Sequence, residues 1–145
     1  MIVKRIHLKD TFKIRRLVLG IDGIESSYNY IGDDESDTFH LGAFVDNNLV
    51  SVASFYFNRN PNFNIDNQYQ LQGMATLENY RKQGFSRELL NVAFPIIKQN
   101  FCNLVWCNAR VEAKSFYEKL GFEAFGQEFD IKGIGRHLLM FREIS

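Results

Sequence analysis

Apolar and polar residues alternate along parts of the first half of the chain, as they do in strands that bury one face. Residues 39–45 alternate strictly, and the polar triplet at 46–48 separates them from an apolar run over 49–57. This arrangement predicts a hairpin. Residues 69–76 alternate again beyond a polar loop. We therefore expect three consecutive antiparallel strands in this part of the chain.

The segment before the hairpin predicts one strand, one helix and a loop. A short strand covers residues 2–7, and Asp10 is a suitable N-cap for a helix that ends at Gly20. Ile14, Leu17 and Val18 would form its apolar stripe. The acidic run at 33–37 is expected to be a solvated loop.

In the second half of the chain the apolar residues recur at the spacing of a helix rather than of a strand. The first such helix begins at Gly84, and we expect Pro95 to bend it or to end it near Phe94, because a proline there loses a backbone hydrogen bond. A short buried strand over 103–107 and a second helix over 111–121 follow. The apolar face of the first helix comprises Phe85, Leu89, Val92, Ala93, Ile96 and Ile97.

Two final strands, over 122–129 and 136–144, complete the order of elements. That order is strand, helix, three strands, helix, strand, helix and two strands. It indicates one mixed α/β domain over residues 1–145, with a mostly antiparallel sheet flanked by helices. The strand–helix–strand segment from 69 to 107 is expected to be parallel.

The composition agrees with a single folded domain, since 46% of the residues are hydrophobic. Lys plus Arg number 17 and Asp plus Glu number 17, so the basic excess of a broad nucleic-acid surface is missing and we expect no nucleic-acid partner. No stretch approaches the roughly 18 apolar residues of a membrane helix. The charged N-terminal segment is unlike a signal peptide, so we expect a cytoplasmic protein with no membrane partner.

Cys102 and Cys107 are expected to be buried free thiols. They lack CxxC spacing and flank or lie in an apolar run, and the chain has only three histidines. We therefore predict no metal site. Free thiols are typical of a reducing cytoplasm.

The segment "YRKQGFS" at 80–86 joins a predicted strand to a predicted helix and carries the most informative chemistry. The first N–H groups of a helix lack intrahelical acceptors, and the helix dipole adds partial positive charge, so an anion is stabilised there. Gly84 lacks a Cβ and lets a phosphate approach the backbone, while Arg81 and Lys82 add charge. From these residues alone, the segment is either a phosphate-binding loop or an ordinary solvated loop.

The longer stretch "GMATLENYRKQGFSRELL" resembles the signature of the GNAT N-acetyltransferase superfamily. In that signature a strand is followed by Arg or Gln, two residues, Gly, one residue, and Gly or Ala. Arg81, Gly84 and Ser86 occupy those places, and Ser86 departs from the usual Gly or Ala. A second stretch, "NARVEAKSFYEKLGFE", is similar to the family's helix with an aromatic pair and a closing Gly-Phe. The resemblance implies the family's fold, in which the central parallel strands splay into a V.

The resemblance also implies that acetyl-coenzyme A is the co-substrate. Main-chain N–H groups at the start of the helix would hold its pyrophosphate, and main-chain groups at the end of the preceding strand would pair with its pantetheine arm. An N–H near Met74 would stabilise the oxyanion of the thioester carbonyl. Asn108 either bonds the arm or is a turn or cap residue. The residues so assigned are Met74, Ala75, Thr76, Arg81, Lys82, Gln83, Gly84, Phe85, Ser86 and Asn108.

Tyr117 is the residue that the resemblance marks as a general acid, because its phenol can protonate the departing thiolate. The alternative is a core tyrosine with a satisfied hydroxyl. The base that deprotonates the amine is His137, Glu128 or a water chain, and the sequence does not choose among them. Arg15 and Arg16 either border the acceptor pocket or are solvated.

These assignments lead to two competing functions. The first is transfer of an acetyl group from acetyl-coenzyme A to a primary amine by direct attack in a ternary complex. The second is a non-catalytic acyl-coenzyme A binding or sensor module of the same fold. The acceptor, a small molecule or a peptide, is not readable from the sequence, and an exposed sheet edge leaves a homodimer open.

Overall fold

The computed structural model describes residues 1–19 and 29–145. The strands are β1 (Ile2–Ile6), β2 (Phe39–Val45), β3 (Asn48–Tyr56), β4 (Gln68–Thr76), β5 (Leu104–Arg110), β6 (Glu123–Ile131) and β7 (Gly135–Glu143). The helices are α1 (Leu8–Ile14), α2 (Phe85–Gln99) and α3 (Lys114–Lys119). A π-helical segment extends α1 over Arg15–Leu19, and short 3-10 turns cover Glu78–Tyr80 and Val111–Ala113. The predicted order of strands and helices is confirmed.

The seven strands form one mixed sheet in the order β1-β2-β3-β4-β5-β7-β6. β1 pairs with β2, β2 with β3, β5 with β7 and β6 with β7, all antiparallel. β4 and β5 are parallel, with Gln68–Gln70 paired to Leu104–Trp106. The mostly antiparallel sheet with one parallel pair is thus confirmed, and the V-shaped splay stays a prediction.

The residues of the domain group into two compact units. The first comprises residues 1–57 and 71–96, and the second comprises residues 58–70 and 97–145. In the first unit, α1 packs on the sheet through a cluster of Ile14, Val52 and Ala75. In the second, Phe63 and Trp106 form an apolar cluster whose other buried members are Leu104 and Leu139.

The first helix differs from its prediction at its start and at one residue of its apolar stripe. His7 is its N-cap, and Asp10 lies inside the first turn, where its carboxylate accepts a hydrogen bond from the His7 N–H at 3.1 Å. The predicted end at Gly20 falls outside the described residues. Leu17 is 61% exposed instead of apolar-facing. The change to π-helical geometry at Arg15 explains this, because it alters which side chains point towards the sheet.

Pro95 does not end α2. The helix continues to Gln99, and the ring of Pro95 faces solvent. Ala93 and Ile97 are fully buried on either side of it. Burial of this apolar stripe on both sides therefore outweighs the lost hydrogen bond, and the expected end near Phe94 was wrong.

A buried ion pair lies in the first unit. Arg15 is 0% exposed, and its guanidinium donates to both carboxylate oxygens of Asp33, at 2.8 and 3.0 Å. The expectation of a solvated loop was therefore wrong for Asp33. The alternative that Arg15 is solvated was wrong as well. Each charged group finds its partner 18 residues away in the chain, which removes the need for water. Arg16 is exposed.

Three further polar side chains complete the surroundings of this ion pair. Ser54 and Tyr56 accept hydrogen bonds from the Arg15 guanidinium at 2.8 and 3.0 Å, and the Tyr56 hydroxyl donates to Asp33. His40 bonds the Asp33 carbonyl through Nε2 at 3.0 Å, so Nε2 carries the proton and Nδ1 accepts from Ser54. Burial lowers the pKa of His40. Burial alone would raise the pKa of Asp33, but bonds from Arg15 and Tyr56 outweigh it and lower that pKa.

Candidate active site

The loop from β4 to α2 is held by local hydrogen bonds. The Leu77 N–H donates to the Val50 carbonyl at 2.9 Å, which ties the start of the loop to β3. The Tyr80 N–H then returns to the Leu77 carbonyl at 2.9 Å, closing the 3-10 turn. The ring of Tyr80 meets the ring of Phe85 edge-on at 5.9 Å. This contact joins the loop to the first residue of α2.

Two residues take left-handed conformations immediately before α2. Lys82 has φ +62° and Gly84 has φ +89°. A Cβ on Gly84 would lie 3.1 Å from the terminal nitrogen of Arg87, and the glycine avoids both the strain and the contact. The Glu88 N–H donates to the Gly84 carbonyl at 3.1 Å, so helical bonding begins there. The N–H groups of the preceding turn are those that a helix cannot satisfy internally.

Three basic side chains lie on this loop and the first turn of α2. Arg81, Lys82 and Arg87 are exposed. Arg81 also reaches the carbonyl of Thr76 at 3.5 Å, a long contact that links the loop to the end of β4. Together with the N-terminal end of the helix dipole, these cations make the turn attractive to an anion. The residues present therefore fit a pyrophosphate group.

The end of β4 follows a kink at Gly73, whose φ is +65°. A Cβ at Gly73 would lie 2.9 Å from the Tyr30 ring and 3.2 Å from Arg15 Nε, so only glycine fits without displacing a neighbour. The three predicted coenzyme contacts come directly after this kink. Ala75 is buried, and Met74 and Thr76 are half-buried. Residues 74–76 and the loop residues 81–86 therefore belong to the same compact unit.

A serine that sequence reasoning missed supports this segment. Ser51 of β3 is fully buried, and its hydroxyl lies 2.7 Å from the Thr76 hydroxyl and 3.3 Å from the Ala75 carbonyl. The Thr76 hydroxyl is in turn 3.3 Å from that of Ser86. The available signal was a hydroxyl residue inside an otherwise apolar strand, which must find a polar partner.

Asn108 lies within β5 and not beyond it. The strand runs to Arg110, and Asn108 is paired with Leu139 of β7 in the antiparallel register. The expected strand end at residue 107 and the reading of Asn108 as a turn or cap residue were therefore wrong, because pairing with β7 keeps the chain extended. Its side chain is exposed.

Tyr117 is a buried residue of α3. Its ring meets those of Phe116 and Phe122 edge-on at 5.1 and 5.2 Å, and its hydroxyl donates to the thiol of Cys107. Burial and then the neighbouring thiol raise the pKa of Tyr117 well above its ordinary value. Burial likewise raises the pKa of Cys107 to about 12, and both cysteines are buried free thiols, as predicted.

The two candidate bases lie in the β6–β7 hairpin and differ in their surroundings. His137 is buried, and its Nδ1 lies 2.8 Å from the Gly135 carbonyl. A carbonyl only accepts, so in the neutral ring Nδ1 carries the proton and Nε2 has the free lone pair. Glu128 is half-exposed and accepts a hydrogen bond from Arg136 at 2.9 Å. Of the two, only His137 has an atom left to accept a proton without breaking an ion pair.

Two absences hold for the part of the chain that the structure describes. Residues 1–19 and 29–145 contain no group of three or more His, Cys, Asp or Glu side chains arranged to hold a metal ion. Over the same ranges, no helix has the length and apolar character needed to cross a membrane.

Comparison with known proteins gives consistent matches. The family model described as an acetyltransferase (GNAT) domain matches residues 20–141. An uncharacterized N-acetyltransferase of Bacillus subtilis, YitI, is 39% identical over 142 residues, which cover 98% of this chain and 95% of that protein. A putative acetyltransferase of the same organism is 28% identical over 143 residues, covering 94% and 89% of the two chains.

Solved structures share the fold at low sequence identity. A putative N-acetyltransferase from Lactobacillus plantarum superposes with a TM-score of 0.80 at 15% identity, covering 100% of both chains. An aminoglycoside 6'-N-acetyltransferase in complex with coenzyme A gives a TM-score of 0.80 at 15% identity, covering 100% of this chain and 98% of that one. These likenesses establish the mixed α/β architecture described above.

Proposed function

Because this chain belongs to the GNAT acetyltransferase family, we propose that it moves an acetyl group from acetyl-coenzyme A to a primary amine by direct attack in a ternary complex. Such a transfer forms a C–N bond and breaks the C–S bond of the thioester. The amine loses one proton to a base, and the departing thiolate gains one from an acid. Acetyl-coenzyme A supplies the activated acyl group.

The loop before α2 is the observation that carries the coenzyme-binding part of this proposal. The N–H groups of Gln83, Gly84, Phe85 and Ser86 would hold the pyrophosphate, and Gly84 supports this because it has no Cβ to keep an anion away from the backbone. Arg81 and Lys82 would add charge beside them. Main-chain groups of residues 74–76 would hold the pantetheine arm, with Asn108 as a further donor to it.

Tyr117 would act as the general acid. Its raised pKa keeps the phenol protonated throughout the physiological range, which is the form that a proton donor requires. The Cys107 thiol, which now accepts the phenol's hydrogen bond, would be exchanged for the departing thiolate. His137 would accept the amine's proton through Nε2, and its bond to the Gly135 carbonyl supports this assignment because it fixes the tautomer. Glu128 is the second choice because it is ion-paired.

Coenzyme binding is tested first, by calorimetric titration of the protein with coenzyme A. Gly84→Glu should abolish binding, because a carboxylate would occupy the anion position and strain a left-handed residue. Gly133→Glu is the matched control, since Gly133 also has φ +82° and a Cβ there would meet nothing within 4 Å. Unchanged affinity in Gly84→Glu would remove the proposed site.

Transfer is tested by release of free thiol from acetyl-coenzyme A in the presence of a panel of primary amines. Tyr117→Phe should lower kcat strongly while coenzyme affinity stays close to the wild type. Cys107→Ala serves as control, because it removes the phenol's partner and leaves the phenol. If Cys107→Ala loses activity as completely as Tyr117→Phe, the hydroxyl acts through packing and not as an acid.

A coenzyme-binding module without transfer is the second candidate. The hydrogen bond of the Tyr117 hydroxyl to Cys107, inside the second unit, favours it, because a phenol of that kind also serves as an ordinary core residue. Tight coenzyme A binding without thiol release across the whole amine panel would support this candidate over the enzyme.

A further inference from the structure

Three hydroxyl groups form a chain from the interior of β3 to the first turn of α2. Ser51 Oγ lies 2.7 Å from Thr76 Oγ1, which lies 3.3 Å from Ser86 Oγ. The three residues come from β3, the end of β4 and α2, and they are 25 and 10 residues apart in the sequence. The three hydroxyl groups thus connect the end of β4 with the start of α2, the two segments that the coenzyme would contact.

The hydrogen bonds among these three hydroxyl groups can run in either of two directions, because each hydroxyl can donate its one proton to either neighbour. If they point inwards, Ser86 donates to Thr76, Thr76 to Ser51, and Ser51 to the Ala75 carbonyl at 3.3 Å. If they point outwards, Ser51 donates to Thr76 at 2.7 Å, Thr76 donates to Ser86, and the proton of Ser86 is available at the helix start. The 2.7 Å Ser51–Thr76 distance is common to both directions. An anion at the helix start selects the outward one, because only that direction presents a proton to it.

We propose that Ser51 is a positioning residue for the coenzyme, acting through Thr76 to direct the Ser86 hydroxyl proton at the coenzyme's pyrophosphate. This inference rests on the proposed function, because it takes that pyrophosphate to be the anion at α2. Ser86 stands where the signature described above has Gly or Ala, so its hydroxyl is a donor that the signature does not require.

The effect of Ser51 follows from what its loss leaves behind. Without its hydroxyl, Thr76 Oγ1 has no donor from the interior, and the Ser86 proton turns inwards to satisfy it. An anion at the helix start then faces the oxygen of Ser86 and loses one charge-assisted hydrogen bond. A bond of that kind corresponds to about a tenfold change in affinity, equivalent to roughly 1.4 kcal/mol.

The test is calorimetric titration of coenzyme A into Ser51→Ala and Ser54→Ala. Both serines are fully buried hydroxyl residues of β3, but the hydroxyl of Ser54 bonds His40 and Arg15 instead of Thr76. Both variants should lose some thermal stability. Only Ser51→Ala should bind coenzyme A more weakly, by about tenfold.

A second pair of variants separates the hydroxyl from the shape of the side chain. Thr76→Val keeps the shape and removes the hydroxyl, and it should weaken coenzyme A binding as Ser51→Ala does. Thr76→Ser keeps the hydroxyl and should bind within about twofold of the wild type, a difference well under 1.4 kcal/mol. A role in packing alone would give the reverse order.

The outcomes separate this inference from the proposed function. If the wild type binds coenzyme A and Gly84→Glu does not, but Ser51→Ala binds as tightly as Ser54→Ala, the role of Ser51 is refuted and the coenzyme site stands. Wild-type affinity in Thr76→Val would refute it equally. If the wild type binds no coenzyme A, the proposed function falls and this inference falls with it.

Discussion

Replacing Asp33 by asparagine should destabilise the fold strongly. Asparagine keeps the shape of the side chain and one oxygen, but it leaves the fully buried Arg15 guanidinium without a compensating negative charge. Arginine cannot escape by losing its proton, because the pKa of a guanidinium lies far above the physiological range in proteins. Removing one partner of a buried ion pair costs about 3–5 kcal/mol, a large part of the roughly 5–15 kcal/mol that stabilises a typical domain.

The expected change is large enough to measure by thermal unfolding. For a domain of this size each kcal/mol lowers Tm by roughly 2–4 °C, so Asp33→Asn should lower it by about 6–20 °C. The matched control is Glu128→Gln, which removes a carboxylate that also accepts from an arginine at 2.9 Å. Arg136 and Glu128 have side chains 58% and 46% exposed, so water screens both charges and Tm should change little.

Circular dichroism gives Tm, and the fluorescence of Trp106, the single tryptophan, gives a second probe of unfolding. Equal changes in Tm for Asp33→Asn and Glu128→Gln would refute the reasoning, because burial is the feature that distinguishes the two ion pairs. The reasoning would also be refuted if Asp33→Asn lowered Tm as much in strong acid as at neutral pH. There the Asp33 carboxylate of the wild type is itself protonated and the two proteins should converge.

Three further perturbations concern the buried His40, the left-handed Gly73 and the helix proline Pro95. Stability should fall as the pH drops below about 6.5, because burial lowers the folded-state pKa of His40 and the unfolded chain takes up the proton first; Tm measured against pH should show a flatter curve for His40→Gln. Gly73→Ala should lower the free energy of unfolding by more than the roughly 1–2 kcal/mol that a left-handed alanine costs. Gly126→Ala should lower it by that strain alone, because Gly126 has φ +77° and a Cβ there would meet nothing within 4 Å. Urea unfolding measures both changes. Pro95→Ala should stabilise by about 2 kcal/mol, the roughly 3 kcal/mol helix penalty less about 1 kcal/mol of unfolded-state entropy; a lower Tm would contradict it.

The elements that were predictable are those whose signals are local. The turn between β2 and β3 is an example, since Asp46 and Asn47 take φ +49° and +68°, and these residue types tolerate that region best after glycine. The stop of α3 at Gly121, with φ +86°, is another. In both cases the residue type and the backbone conformation are linked within one turn of chain.

Boundaries were less predictable because two local arrangements satisfy the same groups. Asp10 was taken as the residue that caps the first helix from outside, yet it satisfies the His7 N–H from inside the first turn. Pro95 was taken as a bend or an end, yet burial of Ala93 and Ile97 extends α2 past it. For Pro95 the burial of neighbouring residues decides between the arrangements. His7 and Asp10 are both exposed, and the local sequence is compatible with either arrangement there.

The polar interior of the first unit was not predictable from any local pattern. Arg15 and Asp33 are each typical surface residues, and only the fold brings them within 2.8 Å. His40 occupies a polar position of the alternating strand 39–45, and Ser54 lies in the apolar run 49–57, and neither pattern identifies the partner. A buried polar network of this kind is specified by pairs of distant residues, so a single sequence contains no periodicity from which it can be inferred.

The candidate phosphate loop stands between these two cases. A site made of main-chain N–H groups needs few particular side chains, so its visible trace is the glycine at the place where a Cβ would interfere, and Gly84 provides it. The groups that hold such a loop in place are ordinary hydroxyl residues elsewhere in the chain, here Ser51 and Thr76. Two chains with the same loop motif can therefore differ in coenzyme affinity through residues that the motif does not contain. The comparison of Ser51→Ala with Ser54→Ala measures that difference directly, because the two variants share a strand, a residue type and full burial.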